Sequence, residues 1–148
     1  MKISNNLYFV CLNEEFGKEV CEKLAKILVL PFIECEAFVA KDLLTREVDR
    51  HDANIEYLKR QEECALCNCL MQNGIFLLSF DLLKHNIALF KDEKLFYLKV
   101  PQEKVLKKIN KLAFASRDKF LTKYGQVIEV KSTRVQAIQK IITILGDI

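Results

Sequence analysis

Leu7-Tyr8-Phe9-Val10-Cys11-Leu12, followed by Asn13-Glu14-Glu15-Phe16-Gly17-Lys18, is the stretch on which the fold turns. Its first half is an unbroken apolar run, with no polar residue at alternate positions. That pattern predicts a strand buried on both faces, the kind found inside a parallel sheet. Immediately afterwards Phe16, Val20, Leu24, Ile27 and Leu28 recur at helical spacing, which predicts a helix of about three turns. A buried strand feeding straight into a helix is the opening of a βα unit.

The rest of the chain repeats this alternation. Leu30-Pro31-Phe32-Ile33 ends the first helix and starts a second short strand, with Pro31 at its edge. A short helix is expected over Glu36–Leu44 and a longer one over Ala53–Met71, with Ile55, Leu58, Ala65, Leu66, Cys69 and Leu70 on its inner side. Asn73-Gly74 stops it. Ile75-Phe76-Leu77-Leu78 reads as a third strand, with Asp81 capping the helix that follows to about Leu89. Leu95–Val100 reads as a fourth, with Pro101 opening a helix striped by Val105, Leu106 and Ile109. Residues 110–124 are compatible with a helix. Val127–Val130 is a fifth strand, and Ser132 or Thr133 caps a last helix facing inward through Val135, Ile138, Ile141, Ile142 and Leu145. The expectation is an α/β three-layer sandwich, a five-stranded mostly parallel sheet covered on both faces. No linker or internal repeat divides residues 1–148, so one domain is expected.

Composition narrows the function classes. The chain has 148 residues, 51% of them hydrophobic and 29% charged, which is globular rather than disordered composition. No apolar run is long enough to cross a bilayer, and the N-terminus has no secretion signal pattern. The six cysteines therefore read as reduced thiols in the cytoplasm. Net charge is +3, with the basic excess after residue 60; this is too mild to argue for nucleic acid. Glycine is scarce, four residues in all, where average usage would give roughly ten. Loops that wrap phosphate need glycine, because the backbone must take positive φ and approach the ligand closely.

The strand, turn and helix followed by Leu30-Pro31-Phe32-Ile33-Glu34-Cys35-Glu36 resemble the opening of shikimate kinase, a small P-loop kinase. Leu95–Pro101 with Ile109 is similar to that family's "vvyLdvP…RI" segment, and Arg117 with Phe120-Leu121 and Val127–Val130 to its "R-x-P-L-Y" stretch. The resemblance runs through nearly the whole chain in order and implies a P-loop kinase fold. It would imply ATP, Mg²⁺ and phosphoryl transfer, but each motif that does that chemistry is altered. Laid without gaps, the family's G-x-x-G-x-G-K-[ST] falls on Cys11–Lys18, with Cys11, Glu14 and Phe16 replacing its glycines. A one-residue slip recovers Gly17-Lys18 but puts Glu19 where Ser or Thr belongs. Asn13, Gly17 and Lys18 are then remnants of a phosphate loop. Glu34 and Glu36 match the family's acidic pair for metal and substrate hydroxyls, and Arg117 matches a carboxylate-binding arginine; the three are remnants of a substrate pocket. Ser79-Phe80-Asp81 stands where the family has three glycines, and only Asn110–Ser116 remains where the family has a lid.

Other chemistry-bearing residues have plainer readings. Cys64, Cys67 and Cys69 diverge on a helix, so thiols rather than a metal cluster are expected. Cys11 and Cys21 read as small core fillers, and His51 and His85 as solvated surface residues. Glu34 and Glu36 have a capping or solvent-facing role as the alternative to a ligand role. No metal site is expected. Two functions follow from the resemblance: a catalytically inactive or impaired binding or regulatory module, taking a small acid or nucleotide ligand or a protein partner; or an active ATP-dependent small-molecule kinase with an altered phosphate loop.

Overall fold

The computed structural model describes residues 6–106, 109–131 and 133–146. Strand β1 (Leu7–Cys11) leads to helix α1 (Glu14–Leu28), β2 (Phe32–Glu34), α2 (Cys35–Thr45) and α3 (Ile55–Leu70). Then come β3 (Ile75–Leu78), α4 (Phe80–His85), β4 (Leu95–Lys99), α5 (Lys111–Tyr124), β5 (Gln126–Glu129) and α6 (Arg134–Gly146). The strands form one sheet in the order β2-β3-β1-β4-β5, and every neighbouring pair is parallel. The expected alternation of strands and helices is therefore present, and "mostly parallel" sharpens to wholly parallel.

Burial on both faces follows from the strand period of two. Leu7, Phe9 and Cys11 join one core cluster with residues of α1 and α6, whereas Tyr8 and Val10 join the other with residues of α2, α3 and α4. Phe96 and Leu98 divide from Leu95 and Tyr97 in the same way. Full burial of a side chain such as Phe9 stabilises by about 1.5–3 kcal/mol, so β1 and β4 are held from both sides.

Several local expectations need correction. The buried stripe of α1 is Gly17, Val20, Cys21, Leu24 and Ala25, and Ile27 is 47% exposed. The small residues Gly17, Cys21 and Ala25, spaced one turn apart, let the helix approach the sheet closely. Helix α3 starts and ends inside the expected bounds, and only Ala65, Leu66 and Cys69 are buried on it; Ile55 is exposed. Ser79, not Asp81, caps α4, its hydroxyl accepting from the Leu82 N–H. After β4 the expected helix is replaced by a single 3-10 turn over Gln102–Lys104, after which Val105 drops into the core. Residues 110–124 do form a helix, capped by Asn110. On α6, Ala137, Ile138 and Ile141 face inward, while Val135 and Ile142 are exposed. Thr133 accepts from the Gln136 N–H at its start; the alternative cap, Ser132, lies outside the described residues.

Candidate functional site

The order β2-β3-β1-β4-β5 gathers the carboxyl ends of β1, β2 and β3, where open α/β sheets bind ligands. A cavity of about 500 Å³ lies there. Its floor is apolar, from Cys11, Leu77 and Leu78. Its walls carry Glu14, Glu15, Glu34, Glu36 and Asp81 against one amine, Lys18. Lys18 Nζ lies 3.6 Å from Glu34 Oε2. Ser79 Oγ donates to Glu36 Oε2, which ties the start of α2 to the start of α4. The parallel sheet thus brings together Lys18, Glu34 and Glu36.

The connection from β1 to α1 is only Leu12-Asn13. Asn13 is the N-cap, with extended backbone (φ −95°, ψ 95°) and its side chain accepting from the Phe16 N–H at 3.1 Å. The Gly17 N–H donates to the Asn13 carbonyl at 3.0 Å. Residues 14–18 are therefore the first turns of a helix rather than a loop. No glycine among the described residues has positive φ. Gly17 has a packing reason to be glycine: a Cβ there would lie 2.8 Å from the Cys11 Cβ. Glu14 and Glu15 occupy the first turn, where carboxylates complement the helix dipole. They also line the cavity, and a carboxylate 4 Å from another negative charge costs about 4 kcal/mol at an effective dielectric of 20.

Arg117 does not line this cavity. Its guanidinium carbon sits 5.0 Å from the centre of the Phe80 ring, and Phe80 meets Phe120 edge to face at 5.6 Å. Phe80 lies between Ser79 and Asp81, so Arg117 stands beside the cavity wall. Next to it on α5, Asp118 accepts from the Tyr97 hydroxyl at 2.6 Å and from Lys99 Nζ at 3.5 Å. This fixes α5 to β4.

The cysteines divide as their helices dictate. Cys11, Cys21, Cys35 and Cys69 are buried, and Cys64 and Cys67 are exposed. Burial pushes the Cys11 thiol up to about 12, so it is protonated and unreactive at neutral pH. Among the described residues, no group of three or more His, Cys, Asp or Glu side chains is arranged to hold a metal ion. His85 Nδ1 lies 3.6 Å from Glu62 Oε1 on the surface. No helix among the described residues is long and apolar enough to cross a membrane. Two features escaped the sequence reading: the Tyr97–Asp118–Lys99 cluster and a contact between Cys35 and Cys69. Neither has a local spacing signal.

Among solved structures the chain is similar to shikimate kinase from Aquifex aeolicus vf5, with TM-score 0.65 and 14% identity over 96% of each chain. It is also similar to shikimate kinase from Acinetobacter baumannii in complex with shikimate, with TM-score 0.67 and 14% identity over 97% of this chain and 94% of that one. A third similar structure is dephospho-CoA kinase from Campylobacter jejuni, with TM-score 0.61 and 10% identity over 98% and 97%. The chain has a P-loop kinase fold. No known protein family and no curated protein matches the sequence.

Proposed function

We propose that this chain is a degenerate relative of shikimate kinase, one domain over residues 1–148, that binds a small polar ligand and does not transfer phosphate. The observation that carries this reading is the two-residue Leu12-Asn13 connection, which starts α1 at Glu14. A P-loop works by aiming several backbone N–H groups at phosphate from a glycine-built loop. Here the Phe16 and Gly17 N–H groups are engaged by Asn13, and two carboxylates fill the first turn. A nucleoside triphosphate does not fit these residues. The cavity favours a ligand with hydroxyl or amine donors, which Glu34 and Glu36 would accept. A small acid, such as the shikimate held by the Acinetobacter baumannii enzyme, would be met by Arg117 only once its side chain swings from the Phe80 ring, where it now rests outside the cavity lining. Asn13 and Gly17 then serve the fold, and Lys18 balances Glu34. A cytoplasmic location and a regulatory role through a protein partner belong to the same proposal.

Calorimetric titration with Mg-ATP, ADP and shikimate, beside a coupled phosphorylation assay, tests it. The expected result is no heat with Mg-ATP at millimolar concentration and no turnover. ATP-dependent phosphorylation of shikimate at about 1 s⁻¹ or faster, within the ordinary enzyme range, would overturn it.

A second reading rests on Lys18, Glu34 and Glu36 sharing one cavity. In a working kinase of altered design, Lys18 would contact phosphate, the glutamates would hold Mg²⁺ and a hydroxyl, and Arg117 would hold an acid group. It requires saturable thermal stabilisation by Mg-ATP, about 2.7 kcal/mol at a hundredfold excess over Kd; absence of any shift at millimolar Mg-ATP rejects it.

A further inference from the structure

Cys35 and Cys69 stand 34 positions apart in the chain, yet their sulfurs lie 3.7 Å apart. Cys35 opens α2 and Cys69 lies in the last turn of α3, and both side chains have no solvent exposure. A disulfide needs sulfurs about 2.05 Å apart, so closure requires the two to approach by about 1.7 Å. The position of Cys35 gives such a bond a consequence. Its chain neighbours are Glu34 and Glu36, which line the cavity. Glu34 faces Lys18 and Glu36 accepts from Ser79. Pulling Cys35 toward α3 draws on both contacts at once.

We propose that Cys35 and Cys69 form a peroxide-driven disulfide switch beneath the acidic cavity. One sulfur attacks a peroxide oxygen; the O–O bond breaks, one water leaves and a sulfenic acid remains. The second sulfur then attacks the sulfenic sulfur; the S–S bond forms, the S–O bond breaks and the hydroxide leaves as water with the second thiol's proton. Two thiols are oxidised by two electrons and one hydrogen peroxide is reduced to two waters. Because both thiols are buried, reaction follows local opening of the α2–α3 contact and is slow. A dithiol reductant reverses it by exchange. The inference is independent of whether the cavity binds ATP.

The test uses the full chain with Cys64→Ser and Cys67→Ser, two exposed positions, so that surface thiols do not confuse the readout. The folded protein is treated with hydrogen peroxide, then unfolded, alkylated, digested and mapped by mass spectrometry. The expected result is a peptide linked through Cys35 and Cys69, lost on treatment with dithiothreitol. The melting temperature of the oxidised form should rise by roughly 5–10 °C from closing the loop between them. Amide exchange at residues 34–36 should change on oxidation. The same mapping of the unmutated chain guards against any effect of the two serines. If Cys35 and Cys69 are both fully alkylated after peroxide treatment in both proteins, the proposal fails. It also fails if the bond forms and exchange at residues 34–36 is unchanged.

Discussion

Replacing Gly17 with alanine separates a packing glycine from a ligand-binding one. The new Cβ would lie 2.8 Å from the Cys11 Cβ and 3.3 Å from Leu77 Cδ1, where carbon atoms prefer about 3.5–4.0 Å. The Cys11 Cβ is fixed to the central strand and cannot swing aside, so α1 must lift from the sheet by several tenths of an ångström. Overpacking of this kind costs about 1–3 kcal/mol. Alanine recovers up to about 1 kcal/mol of helix propensity. The net expectation is a loss of about 1 kcal/mol, read as a lower urea midpoint with unchanged slope. The severe clash is with the Cys11 Cβ, Leu77 Cδ1 being the end of a flexible side chain, so a double-mutant cycle with Cys11→Gly isolates it. Gly17→Ala should destabilise in the natural background and stabilise once the Cys11 Cβ is gone. A Gly17→Ala protein as stable as the parent, or a coupling energy of zero, would refute the close-approach argument.

Val29 is 87% exposed and holds φ 54°, a left-handed conformation poorly suited to a β-branched residue. Val29→Gly should raise stability by about 0.5–1 kcal/mol, seen as a melting temperature about 2–4 °C higher. Tyr97→Phe removes the hydroxyl that donates to Asp118 from a fully buried ring. A loss of about 1–2 kcal/mol in chemical denaturation is expected, with faster amide exchange in α5. The chain should also weaken in alkali. Folding raises the Cys11 thiol from 9.0 to about 12 through burial, so between those values the unfolded chain releases the proton first and stability falls as pH rises. The full effect of this group is about 4 kcal/mol; urea midpoints from pH 8 to 10.5 should decline, and Cys11→Ala should make the decline shallower, the buried Cys21 and Cys35 thiols, also pushed up, carrying the rest.

The strands were legible because β1, β3 and β4 are continuous apolar runs whose two faces both need cover. The place of Glu34 and Glu36 is legible too, since parallel strands bring their carboxyl ends to one edge; Arg117, grouped with them by the resemblance, lies against Phe80 outside the cavity lining. On α1 the expected Val20 and Leu24 are buried and Phe16 and Leu28 pack against the core, while Ile27 is exposed. The small column of Gly17, Cys21 and Ala25 is what meets the sheet. The segment after Pro101 has helical spacing, but so short a stretch is marginal as an isolated helix, and one turn suffices to bury Val105. Ser79 displaced Asp81 as a cap because α4 begins directly after β3. The contact of Cys35 with Cys69 depends on how α2 lies along α3, which no local pattern encodes.

The sheet order also has a consequence for how the chain is made. Strand β1 is synthesised first, yet its partners are β3, beginning at Ile75, and β4, beginning at Leu95. Its edges stay open until Ile75–Leu78 and Leu95–Lys99 have left the ribosome. Until then Leu7-Tyr8-Phe9-Val10-Cys11 is an apolar segment without a partner strand, the kind that invites association between nascent chains. Non-local pairing of this kind slows folding. A strand buried along its whole length in the folded domain is thus the one exposed longest during its birth.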